Sequence, residues 1–153
     1  MKTITALILL TLMAVSCHNG PPRIINYPPQ DISKIDIKYV SANIETPIAV
    51  TCENFETGWK DKRHIMVDDT ATIAKIMYYI DKAPVDTARL GLDVRRQLKI
   101  YWNNRPVESI CMDGGSFQRN GKLYIYTDDL TDVIEGMLPE SDRYFGYAIR
   151  DGK

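Results

Sequence analysis

The sequence predicts a single small α+β domain, an antiparallel sheet (meander) with two helices packed on one face, and three observations carry that expectation. Several short segments between Lys34 and Tyr126 alternate apolar and polar residues with the period of two that suits a half-buried strand. Two longer segments instead repeat their apolar residues at helical spacing and present one apolar stripe each. The strand-like segments come in runs rather than in strict alternation with helices, which is the order of an antiparallel α+β fold and not of a parallel α/β sheet.

The first strand is read in KIDIKYV (34–40), where Ile35, Ile37 and Tyr39 face one way and Lys34, Asp36 and Lys38 the other. TPIAVTC (46–52) predicts a second strand and RHIMV (63–67) a third. ENFETGWKD (53–61), between them, is too short and polar to assign. DDTATIAKIMYYIDKAP (68–84) then opens with an aspartate suited to an N-cap, sets Ile73, Ile76, Met77 and Ile80 on one side and stops before Pro84, so a helix is expected there.

Alternation returns in DVRRQLKIYW (93–102), with Val94, Leu98, Ile100 and Trp102 on one face and Arg95, Gln97, Lys99 and Tyr101 on the other. NNRP turns the chain, VESICMD (107–113) returns it, and GG turns it again. SFQR (116–119) and KLYIY (122–126) flank Asn120 and Gly121, a pair that favours the left-handed conformations of a tight hairpin. These segments predict a four-stranded meander. TDDLTDVIEGMLP (127–139) follows, with Thr127 at the cap and Leu130, Val133, Ile134, Met137 and Leu138 in one stripe, a second helix that closes the core.

If Leu123 and Ile125 face the core, then Lys122, Tyr124 and Tyr126 join Arg95, Lys99, Tyr101 and Lys38 on a basic, tyrosine-rich open face. Tyrosine offers apolar area with a polar handle and is common where proteins meet partners, so a binding face is one expectation. The competing expectation is that tyrosine and lysine are simply good strand residues on a solvated surface.

Ahead of the domain, MKTITALILLTLMAVSC has a basic start at Lys2, an apolar run from Ile4 to Val15 and small residues before Cys17, the layout of a secretory leader. The run is shorter than the roughly 20 residues a membrane span needs. Ala14, Val15, Ser16 and Cys17 resemble the lipobox of bacterial lipoproteins, with Ala14 where the family most often carries Leu. The resemblance covers residues 1–17 alone and implies that residues 1–16 are removed as a signal peptide and Cys17 is acylated. Two or more acyl chains hold a protein on a bilayer stably where one does not. The implied location is the bacterial cell envelope, attached to a membrane by the N-terminal lipid and facing the periplasm. HNGPPRIINYPPQD (18–31) carries four prolines and fits an extended tether, so residues 17–31 are read as anchor and spacer and 32–153 as the domain with its aromatic tail, RYFGYAI.

Composition narrows the function classes. Loss of the leader removes only Lys2 from the charged residues, leaving 18 Lys plus Arg against 20 Asp plus Glu, a charge of −2 that does not suit nucleic acid. Two cysteines remain beyond the anchor, Cys52 and Cys111. Export makes a disulfide between them one reading, and two separate buried thiols are the other. His18 and His64 are the two histidines of the chain, there is no G-x-S-x-G elbow, and Cys52 and Cys111 both fall in strand-like segments, so no catalytic residues are expected. The pairs Asp68–Asp69 and Asp128–Asp129 stand at helix starts, where carboxylates satisfy free N–H groups. DGGSFQRNG lacks the ligand pattern of a calcium loop and reads as a hairpin connection. No metal, phosphate-loop or dinucleotide pattern is present, and no cofactor is expected. The sequence thus points to a non-enzymatic envelope lipoprotein that binds a partner, preferably a protein; the alternative is a small envelope hydrolase or glycan binder with a dispersed site.

Overall fold

The computed structural model describes residues 28, 31–41, 44 and 47–143; the leader, Cys17, the tether but for Pro28 and Asp31, and the aromatic tail lie outside the described residues. The elements run β1 (Ile32–Tyr39), α1 (Phe55–Gly58), β2 (Arg63–Val67), α2 (Thr70–Lys82), β3 (Arg96–Trp102), β4 (Arg105–Met112), β5 (Ser116–Arg119), β6 (Lys122–Ile125) and α3 (Asp128–Met137), with a closing 3-10 turn at Glu140–Asp142. All strand pairs are antiparallel, and the six-stranded sheet has the order β2-β1-β3-β4-β5-β6. The expected fold class is therefore the observed one, and β3 to β6 form the expected meander.

Each helix is delimited by its own residues. Asp69 caps α2, its carboxylate accepting a hydrogen bond from the Thr72 N–H at 2.8 Å. The helix ends where Ala83 turns extended, a conformation that the following Pro84 favours. In α3, Thr127 occupies the cap position without a side-chain capping bond, contrary to its expected role, and Asp128 and Asp129 complement the dipole in the first turn. The two turns that reverse β3 into β4 and β5 into β6 carry positive φ at Asn103 and Asn104 and at Asn120 and Gly121, the backbone of a tight hairpin.

Ile35, Ile37, Leu98, Ile100, Ile110, Met112 and Phe117 cover the helix side of the sheet and meet Ile73, Ile76, Met77 and Ile80 of α2 and Leu130 and Ile134 of α3 in one buried cluster. Each such side chain taken wholly out of water is worth about 1.5–3 kcal/mol, so this cluster is the main source of stability.

Three strand expectations need correction. Residues 47–52 form no strand, and the positions on both sides of β1 are held by β2 and β3. That segment crosses the far side of the sheet instead, where the Val94 N–H donates to the Val50 carbonyl at 2.7 Å and the Val50 N–H to an Asp93 carboxylate oxygen at 2.9 Å. The phase of β6 is also inverted. Tyr124 lies opposite Phe117, whose side chain is in the core, so Tyr124 and Tyr126 point to the helices while Leu123 and Ile125 point away. Trp102, read as part of the apolar face, ends its strand exposed.

Candidate functional site

The far side of the sheet is not open along its whole length. Val40, Val50, Phe55, Trp59, Val94 and Cys111 form a second buried cluster there, with Cys52 and Leu92 packed at its margin. Phe55 and Trp59, four residues apart, anchor the short α1 segment on the sheet, and the Trp59 indole N–H donates to the Val94 carbonyl at 3.1 Å. A disulfide joins Cys52 to Cys111 of β4, with Cα atoms 5.6 Å apart, so the bonded reading of the two cysteines holds. The bond clamps the cover to the strand that it crosses.

Polar contacts fix the rim of this cover. Glu56 of α1 accepts from Lys38 of β1 at 2.7 Å and also from Lys99 of β3. The hydrogen bond from Lys38, followed by that from Lys99, holds the Glu56 carboxyl well below the usual carboxylate range, at about 2, and the same contact raises Lys38. Beside it lies an open cleft of about 240 Å³ lined by Lys38, Lys62, Arg63 and His64. Lys38 and His64 are Cα partners across β1 and β2, and His64 lies 3.3 Å from an Asp36 carboxylate oxygen. Arg63 pairs with Asp142 of the closing turn. Lys62 donates to the carbonyls of Glu56, at 2.7 Å, and Trp59.

The seven residues expected to form one binding face do not all share it, and Lys38, on the far side, is already held by Glu56. Tyr126 is buried among the core residues under α2 and α3, Tyr124 stacks on Phe117 with ring centroids 5.2 Å apart, and Lys122 points to the same helix side as Tyr124. Arg95, Lys99 and Tyr101 do lie on the far side, but each is engaged. Arg95 stacks its guanidinium 4.8 Å from the Trp59 ring centre and pairs with Asp93; Lys99 is held by Glu56; Tyr101 lies beneath Lys34, whose ammonium sits 4.9 Å above its ring. Cys17 lies outside the described residues. The residues that the sequence did not single out are Glu56, Lys62 and Arg63, and the available signal was the Phe55 and Trp59 pair at helical spacing inside a segment that looked polar.

Among the described residues, no group of three or more His, Cys, Asp or Glu is placed to hold a metal ion. The disulfide takes both sulfurs away from any thiol chemistry with His64. The Asp86 and Asp113 carboxylates serve the β4–β5 connection: Ser116 donates its hydroxyl to Asp86 at 2.5 Å, and Asp113 accepts from the Gly115 and Ser116 N–H groups at 2.7 Å. Comparison of the chain with protein-family models, curated proteins and solved structures gave no match.

Proposed function

We propose that the protein is a lipid-anchored module of the bacterial cell envelope, held to a membrane through Cys17 and facing the periplasm, that binds a protein partner and carries out no catalysis. The observation that carries this reading is the Cys52–Cys111 bond. A disulfide persists in oxidising compartments and is rare where thiols are kept reduced, which agrees with export by the leader. The site geometry is compatible with it: the cleft beside β2 is basic and open, which suits association with an acidic partner, and the disulfide takes Cys52 and Cys111 out of any nucleophilic role beside His64. The test is cross-linking in intact cells followed by denaturing purification, which should return a recurrent protein adduct. Turnover of ester, glycoside or phosphoester substrates that disappears in His64→Ala would contradict the non-catalytic reading and favour the small envelope hydrolase.

A further inference from the structure

The two edges of the sheet differ. The outer side of β6 is occupied, since the Asp86 N–H donates to the Leu123 carbonyl and the Ile125 N–H to the Pro84 carbonyl, both at 2.9 Å. The outer side of β2 is not: the strand pairs with β1 on its inner side, and among the described residues no other backbone hydrogen bond reaches it. Natural edges are commonly blunted by bulges, proline, short length or charged side chains. β2 is short and opens with Arg63 and His64, but it has no bulge or proline, and its register with β1 runs without a shift from Arg63 to Val67. An unblocked edge is a template for an added strand, in which backbone hydrogen bonds give affinity and alternate side chains give selectivity.

Charge and apolar surface on β2 say what kind of strand would fit. The cleft at its start is lined by Lys38, Lys62, Arg63 and His64, with no carboxylate among them. The lining's three permanent cations, Lys38, Lys62 and Arg63, are matched by three carboxylates bound to the lining, Glu56, Asp142 and Asp36, and the excess comes from Lys99, which shares Glu56 with Lys38, before His64 is counted. Among the described residues, Lys62, which donates to carbonyls, has no carboxylate partner of its own. Two residues beyond His64, on the same face, Met66 exposes 44% of its surface.

We propose that β2 is the docking edge for an extended acidic segment of the protein partner, added as a further strand with a carboxylate beside His64 and an apolar residue two positions away beside Met66. The inference rests on the reading of the domain as a protein-binding module. Residues two apart in a strand share a face, so the segment it selects alternates an acidic and an apolar residue on the side toward the cleft.

The test uses the full mature chain in detergent and a fluorescein-labelled peptide with Glu and Val alternating on one face and Thr on the other. A control peptide carries Lys in place of Glu. The acidic peptide should bind about tenfold more tightly than the control and weaken as salt rises. It should also slow amide exchange across Arg63–Val67, and Lys62→Glu should weaken it about tenfold. Met66→Asp, on an exposed side chain, should do the same and stands in if Lys62→Glu does not fold. Equal binding of both peptides, no added protection of β2, or a dimer that protects β2 without peptide would each overturn the proposal; the last would assign the edge to a second copy. Failure here with Cys17 acylated overturns the docking edge and leaves the envelope module standing, whereas an unmodified Cys17 does the reverse.

Discussion

Arg96 of β3 and Glu135 of α3 meet at 2.8 Å with both side chains fully removed from water. The guanidinium also donates to the Asp142 carbonyl at 3.4 Å, so one cation ties the sheet, the last helix and the closing turn together. Both charges have left water, and their attraction must offset that loss.

Removal of one partner is therefore the costly change. Glu135→Ala should destabilise the domain by about 3–5 kcal/mol, whereas the double change Arg96→Met with Glu135→Leu should come close to wild type. Urea denaturation of the three proteins checks this, and equal losses from the single and double changes would mean that packing volume, not charge, dominates there.

The disulfide stabilises chiefly the cover on the far side. Cys52 and Cys111 are 59 residues apart, and loop closure of that length is worth about 4 kcal/mol in the chain-entropy description. Cys52→Ser with Cys111→Ser should lower stability by that order and shift Trp59 emission to the red, while far-ultraviolet circular dichroism keeps the sheet signal. Unchanged emission would mean that the second cluster holds Trp59 without the bond.

Acid should loosen the same cover. Glu56 has its folded pKa lowered from an ordinary 4.5 to about 2 by Lys38 and Lys99, so its contribution is complete above 4.5 and is lost as pH falls toward 2. Thermal melting of Glu56→Gln should depend less on pH across that window than wild type does. An identical slope in both proteins would mean that Glu56 does not set the acid response.

The tyrosines separate by face. Tyr126→Ser should cost about 3–5 kcal/mol, as for other large aromatic losses in a core, whereas Tyr101→Ser, half-buried at the end of its strand under Lys34, should cost much less. Similar melting temperatures for the two variants would contradict the inverted phase of β6.

How much of this was legible follows from which signals are local. The period of two in Ile35–Ile37–Tyr39 and the helical stripes around Ile76 and Ile134 are properties of short segments, and they located their elements and the meander. Leu123, Tyr124, Ile125 and Tyr126 are all apolar enough for either face, so alternation alone leaves the phase undecided; pairing with Phe117 sets it. TPIAVTC has strand-forming residues, yet whether β1 has a free edge is a property of the whole sheet. Arg96 stands in phase with Leu98 and Ile100, and only the arrival of Glu135 from a distant helix makes a buried cation tolerable there. The candidate site suffers most from this, because no motif assembles it: Lys38 and Arg63 are brought together by the pairing of β1 with β2, and Glu56 and Lys62 reach them from the disulfide-clamped cover.

Whether Cys17 holds the domain in the envelope, as proposed, is decided by the mass of the native protein extracted from membranes. The expected mass is that of a chain that begins at Cys17 and carries two or three acyl chains, with Cys17→Ala either released from the membrane fraction or retained with its leader. A mature N-terminus without acyl mass would contradict it.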